Sequence, residues 1–109
     1  MDGLKPRLKV ESPAQRGDVV EVRTLVSHPM ETGYRRALDG ARISRDVLTT
    51  MVCTYLGEEV FRAHLHPAIA ANPYIAFQLR AASSGPVHVR WEKDGAIVAE
   101  ATGVLEVTE

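Results

Sequence analysis

Apolar and polar residues alternate with a period of two along much of this chain, and this alternation constrains its fold most. The segments 18–26, 74–82 and 86–92 each carry an apolar or β-branched side chain at every second position. Because successive side chains of a β-strand point to opposite faces, this spacing predicts strands with one buried face. Helical spacing of apolar residues is scarce, so an all-β chain is expected.

Four further segments complete the predicted strands: 4–10, 48–56, 59–65 and 96–107. Lys93-Asp94-Gly95 predicts a hairpin turn before the last of them, because Asp-Gly adopts the positive φ of such turns. One face of the last strand is predicted to consist of Ile97, Ala99, Ala101, Gly103, Leu105 and Val107. Seven short strands separated by turn residues are typical of an antiparallel sandwich of immunoglobulin type, although the pattern does not distinguish a sandwich from a barrel.

Size and composition limit the architecture to one domain. The chain has 109 residues, of which 45% are hydrophobic and 25% charged, and its formal net charge is −1. A chain of this length buries about 65% of its unfolded surface, which is enough for one core but not for two. Near-neutral charge argues against a dedicated nucleic-acid binder, and the apolar share argues against disorder. We therefore expect a single domain over residues 1–109.

The start of the chain and its single cysteine exclude several further classes. The first ten residues contain no apolar stretch of signal-peptide length, which taken alone predicts a cytoplasmic protein. No apolar run reaches the roughly 18 residues of a membrane span. Cys53 stands alone, which excludes an internal disulfide or a multi-cysteine metal site. The sequence also contains no nucleophile–base pair, phosphate loop or paired-carboxylate motif.

Two loops, 27–46 and 66–73, are too long for simple hairpins, and long loops in compact domains are often functional. The first contains the distinctive string SHPMETG, in which His28, Met30 and Glu31 could bind a metal or a partner. The alternative interpretation is an ordered loop at the end of the sandwich in which His28 is hydrogen-bonded locally.

The pair of histidines His64 and His66 has the spacing that places two side chains on one face of a strand. Two imidazoles could bind a metal, but a stable site needs three or four ligands. No cysteine or acidic cluster accompanies the pair, so a solvated strand face is the simpler interpretation.

Neither face of the segment 48–56 is clearly polar, although Thr50 and Thr54 separate the apolar residues of one face, and this is typical of a strand that is covered on two sides. One face carries Met51, Cys53 and Tyr55, which makes this strand a candidate for a subunit interface. The cover could be a second polypeptide or the segment 34–46 of the same chain. Cys53 lies mid-strand among apolar residues, an environment that favours an inert packing thiol over a reactive one.

Four strings together resemble the SoxZ family, the smaller subunit of the SoxYZ sulfur-carrier complex of thiosulfate oxidation. They are KPRLKV (5–10), TLVSHPMETG (24–33), CTY (53–55) and FRAHLHPAIAANPY (61–74). The resemblance extends over nearly the whole chain. The combination of HPMETG with HPAIAANPY at this separation is far more specific than a lone short motif.

This resemblance implies an immunoglobulin-like fold, no catalysis, and no cofactor or metal. It also implies a heterodimer with SoxY, whose C-terminal Gly-Gly-Cys-Gly-Gly arm carries the sulfur substrate, and transient contacts with other Sox enzymes. This chain would be the subunit without the arm, exported to the periplasm with SoxY. The isolated chain could be a monomer or could form a substitute homodimer through its SoxY-facing surface. We expect partners to be recognised by residues of the two loops, namely His28, Pro29, Met30, Glu31, Gly33, His66, Asn72, Pro73 and Tyr74.

Two alternatives come from other classes. The string HPME (28–31) is similar to the iron-binding segment of superoxide reductases, which also use an immunoglobulin-like fold. That family uses four histidines and a cysteine near the end of the chain, whereas the last strands of this chain contain no cysteine. A generic β-sandwich interaction module without a role in sulfur metabolism is the second alternative.

Overall fold

Nine β-strands make up the regular structure of the described residues. The computed structural model describes residues 4–28, 30, 36, 38–41, 47–65 and 71–109. The strands are β1 (Arg7–Val10), β2 (Ala14–Gln15), β3 (Val19–Leu25), β4 (Thr50–Tyr55), β5 (Glu58–His64), β6 (Tyr74–Arg80), β7 (Gly85–Lys93), β8 (Ala96–Leu105) and β9 (Val107–Thr108). In these parts of the chain no helix is long and apolar enough to span a membrane.

Two antiparallel sheets pack against each other. One has the strand order β1-β3-β6 and the other the order β5-β4-β7-β8, and among the described residues no strand of one sheet is hydrogen-bonded to a strand of the other. Buried side chains from both sheets form one hydrophobic cluster. The prediction of an immunoglobulin-like sandwich is therefore confirmed. The separate sheets identify the fold as a sandwich rather than a barrel.

The seven predicted strands correspond to β1 and to β3 through β8. A small parallel pair was not predicted: Ala14 lies opposite Val107 and Gln15 opposite Thr108. This pair joins β2, which follows the first strand of one sheet, to β9, which follows the last strand of the other.

Alternation predicted the inward faces of the central strands correctly. Their buried side chains are Val20, Val22, Thr24, Phe77, Leu79, Val87, Val89 and Trp91. The rings of Phe61 and Phe77 stack between the two sheets, with centroids 4.2 Å apart. The buried Thr24 hydroxyl donates to the carbonyl oxygen of Ile75 at 2.7 Å, so this polar group is satisfied within the core.

The prediction that Ile97 shares the buried face of the last long strand is wrong. Ile97 is 52% exposed, whereas Ala99 is buried. The register of the β7–β8 pair shifts here, because Trp91 lies opposite Ala99 but Glu92 lies opposite Ile97. Because β8 contains one extra residue at this point, the side chains between it and the hairpin change faces. Ile97 therefore lies on the outward face, together with Glu92.

Both faces of β4 carry buried side chains, as the sequence indicates. Its core-facing side chains are Met51, Cys53 and Tyr55. On the opposite face Val52 is also fully buried. Its cross-strand neighbours are Arg62 and Arg90, and long arginine stems can cover an apolar side chain between them. The other proposed cover, the segment 34–46, lies largely outside the described residues.

Candidate partner-binding surface

The two loops that the sequence singles out meet at one end of the sandwich. Strands β3 and β6 are antiparallel neighbours, and their pairing extends to Leu25 opposite Tyr74. The chain therefore leaves β3 and enters β6 at the same end of the same sheet. The loop that follows β3 and the loop that precedes β6 are adjacent for this reason.

Hydrogen bonds join the two loops directly. The amide of Val26 donates to the carbonyl oxygen of Pro73 at 3.3 Å, and the amide of Asn72 donates to that of His28 at 2.6 Å. In return the His28 amide donates to Oδ1 of the Asn72 side chain at 2.9 Å. We refer to the reciprocal bonds between these last two residues as the His28–Asn72 clasp. It fixes the loops relative to each other.

The His28 ring is part of the loop structure. Its Nδ1 accepts a hydrogen bond from the Met30 amide at 2.9 Å, and His28 is only 5% exposed. Because Nδ1 accepts, the proton of a neutral ring lies on Nε2. This geometry matches the interpretation of a locally hydrogen-bonded histidine. Among the described residues no group of three potential metal ligands is found, but Glu31 and His66 lie outside them.

Only some of the candidate residues present a surface. Tyr74 is 60% exposed and Asn72 is also exposed, whereas Met30 and Pro73 are buried. The other candidates lie outside the described residues: Pro29, Glu31, Gly33 and His66. Of the described candidates, only Asn72 and Tyr74 are therefore accessible to a partner.

Next to Tyr74 the outer side of the three-stranded sheet carries a group of cations. Arg7 lies opposite Leu25, which lies opposite Tyr74, and Lys9 lies opposite Arg23 in the next row. We call these five residues the basic face. They border an open cavity of about 680 Å³. A signal for it exists in the sequence, because Arg7 and Lys9 alternate with apolar residues, but the pattern does not show that Arg23 joins them.

The outer side of the four-stranded sheet is different, because its arginines are paired with carboxylates. Arg62 pairs with Glu59 and Arg90 with Glu92, each at 2.7 Å, and His88 Nε2 lies 3.0 Å from Oε1 of Glu100. The hydrogen bond from Arg62 lowers the pKa of Glu59. This face therefore offers little uncompensated charge to a partner.

The single thiol is not accessible for chemistry. Cys53 is fully buried in the core, and burial raises its pKa to about 11. A thiol with such a pKa is protonated near neutral pH, and the thiolate is the nucleophilic form. The interpretation of an inert packing cysteine agrees with this environment.

The three interface candidates of β4 face the chain's own core. Met51 and Cys53 are fully buried, and Tyr55 is 5% exposed. The Tyr55 hydroxyl donates to the carbonyl oxygen of Ser83 and accepts from the amides of Ala82 and Ser83, a structural role that the sequence does not indicate. An interface on this strand stays a prediction, and it would have to use the opposite face rather than these three side chains.

The sandwich and its paired loops place this chain among small immunoglobulin-like β-proteins. A family model narrows this class: residues 8–103 match the model of the sulphur oxidation protein SoxZ. The match covers most of the chain, so the chain belongs to the SoxZ family and is a protein of the Sox sulfur-oxidation system. No curated protein sequence gives a match.

Solved structures confirm the fold. The sulfur carrier protein SoxY from Chlorobium limicola f thiosulfatophilum aligns with 95% of this chain and 79% of its own length, at 18% identity and a TM-score of 0.64. The superoxide reductase (neelaredoxin) from Ignicoccus hospitalis aligns with 94% of this chain and 80% of its own length, at 16% identity and a TM-score of 0.69. At these identities the similarity concerns the fold alone.

Proposed function

We propose that this chain is the non-catalytic subunit of a SoxYZ sulfur-carrier heterodimer. In this role it pairs with SoxY and presents the cysteine-bearing arm of SoxY to the Sox enzymes. The family match over residues 8–103 is the observation that carries the proposal. A SoxY structure with the same fold supports it, because two similar sandwiches can form one rigid carrier.

The state of Cys53 supports a non-carrying role for this chain. A sulfur carrier needs a thiol that enters enzyme active sites, whereas this thiol is buried and its pKa is raised to about 11. The proposal therefore assigns the covalent step to SoxY. This chain supplies the scaffold and the contacts that select the enzyme.

Reconstitution with SoxY tests the proposal. The tagged chain is co-expressed with a SoxY protein that ends in Gly-Gly-Cys-Gly-Gly, and the mass of the purified complex is measured by light scattering. We expect a one-to-one complex that supports thiosulfate oxidation with the other Sox enzymes. Replacing the SoxY arm cysteine by serine should abolish this activity, whereas Cys53→Ser should preserve it. Absence of a complex, or loss of activity in Cys53→Ser at normal stability, would contradict the proposal.

We also propose the periplasm as the location, reached by export together with SoxY. Fractionation of cells that contain or lack SoxY tests this proposal, because the chain should leave the cytoplasm only when SoxY is present. Light scattering of the isolated chain over a range of concentrations distinguishes a monomer from a substitute homodimer. The complex with SoxY should replace either state.

A superoxide-reductase-like iron protein is the second candidate, and the similarity of fold to the Ignicoccus hospitalis reductase favours it. The described histidines are separate: His28 lies in a loop, His64 on β5, and His88 on β7, where it contacts Glu100. Metal analysis of the purified chain decides between the candidates. Stoichiometric iron with superoxide reduction would favour the reductase, and pairing with SoxY would exclude a generic module.

A further inference from the structure

Charge is distributed unevenly over the two outer sides of the sandwich. The outward positions of the three-stranded sheet are Arg7, Lys9, Val19, Glu21, Arg23, Leu25, Tyr74, Ala76, Gln78 and Arg80. They include four cations and one carboxylate, although the whole chain has a net charge of −1. On the outer side of the four-stranded sheet, by contrast, Arg62 and Arg90 are each paired with a glutamate. The positive excess is therefore a property of one side of the molecule.

Within the described part of the chain, two cations of the basic face have no ionic partner. Arg7 and Lys9 are exposed, and no ion pair in the described part of the chain includes them. Arg23 pairs with Glu21, and this hydrogen bond with its carboxylate charge raises the pKa of Arg23. The face thus keeps two uncompensated positive charges, which lie two residues apart on one strand.

The spacing of these cations fits a protein surface better than a small anion. Side chains two residues apart on one side of a strand are about 7 Å apart at their Cα atoms, and the strands are about 4.8 Å apart. The basic side chains are spread over two exposed strands and do not converge on a buried point. Exposed Tyr74 and half-buried Leu25 lie in the same face, and tyrosine and arginine are enriched in protein interfaces.

We propose that the basic face is the surface through which the carrier docks onto an acidic surface of the Sox enzymes. Carboxylates around an enzyme's active-site entrance would pair with Arg7 and Lys9, while Tyr74 and Leu25 supply the apolar contact. Exposed charges act mainly on the rate of encounter, which suits a carrier that visits several enzymes in turn. This inference rests on the proposed function and names the surface that serves it.

Two double variants with the same change in net charge test the inference. Arg7→Gln/Lys9→Gln neutralises the basic face, and Arg16→Gln/Lys93→Gln neutralises two cations outside that face. Each variant is assembled with SoxY, and its association with each Sox enzyme of the same organism is followed by stopped flow. The salt concentration is varied from about 20 to about 200 mM, because the distance over which surface charges attract each other becomes shorter as salt is added.

We expect the basic-face variant to associate about fivefold more slowly at low salt and to lose most of the salt dependence. The control variant should stay within about twofold of the wild type. Equal rates for both variants would overturn the inference while leaving the proposed function intact. Failure of the wild-type chain to bind SoxY would instead contradict the proposed function.

Two further outcomes would also overturn the inference. If the basic-face variant loses SoxY while the control keeps it, the face is the subunit interface. If sulfate or thiosulfate below about 1 mM gives saturable amide shifts at Arg7 and Lys9 in NMR spectra of the complex, the face is a small-anion site.

Discussion

Substitutions of Asn72 test whether the His28–Asn72 clasp fixes the paired loops. The Asn72 side chain accepts a hydrogen bond from the His28 amide, and its backbone has a φ of +53°. Asn72→Ala removes the acceptor, which costs about 1 kcal/mol. It also places a residue with a Cβ but no polar side chain in the left-handed region, which costs about 1–2 kcal/mol. We expect Asn72→Ala to destabilise the chain by about 2–3 kcal/mol.

Two matched variants separate these contributions. Asn72→Asp keeps an oxygen acceptor and a residue that tolerates positive φ, so its cost should stay within about 0.5 kcal/mol. Asn72→Gly loses the acceptor but adopts positive φ without strain, so it should cost about 1 kcal/mol. The backbone bond from residue 72 to the His28 carbonyl oxygen is retained in every variant.

Urea unfolding followed by circular dichroism measures these differences in stability. Thermal unfolding provides a second estimate, because a loss of 1 kcal/mol should lower the midpoint temperature by about 4 °C. The expected order of stability is wild type, Asp, Gly and then Ala. If Ala is as stable as Asp, the side-chain bond contributes nothing. If Asn72→Gly is less stable than Asn72→Ala, the positive φ of residue 72 does not contribute to the loss of stability.

Three further perturbations test the core. Phe61→Ala removes the ring that stacks on Phe77 and should lower the free energy of unfolding in urea by about 2–3 kcal/mol. Phe61→Leu should lower it by less than about 1.5 kcal/mol. Similar losses for the two variants would refute a contribution from the ring. Tyr55→Phe removes the hydroxyl that bonds Ser83 and should cost about 1–3 kcal/mol in thermal unfolding, and an unchanged midpoint would contradict that role. Burial raises the pKa of Cys53 to about 11 in the folded chain, whereas the thiol of the unfolded chain has a pKa of about 8.5. The stability that follows from this difference is therefore fully present below about pH 8.5 and is lost as the pH rises toward 11. Relative to Cys53→Ala, the wild type should lose up to about 1.4 kcal/mol per pH unit over this range, and parallel pH profiles would refute the assignment.

Much of the sandwich is predictable from the sequence because burial on one face of a strand imposes alternation directly. Prediction fails where this condition is absent. The β2–β9 pair consists of two residues on each side and rests on backbone bonds, so it has no periodic signal. At Ile97 a shift in register interrupts the period, and only the pairing with β7 shows it.

The candidate site was predictable only in part, for a related reason. The sequence identifies both loops, but the contact of His28 with Asn72 depends on the pairing of β3 with β6. Likewise, the alternation in β1 shows Arg7 and Lys9 on one side, while Arg23 joins them only through strand order. Non-local pairing determines these contacts, and a local pattern does not contain it.

The position of Trp91 determines which events an optical signal can report. It is the only tryptophan of the chain, and it is fully buried on β7 between Met51 and Ala99 of the flanking strands. Its emission should shift to longer wavelength when water enters the core and should stay constant when a partner binds the outer side of either sheet. Intrinsic fluorescence of this chain therefore distinguishes a variant that has unfolded from one that has lost only its partner, without any added label.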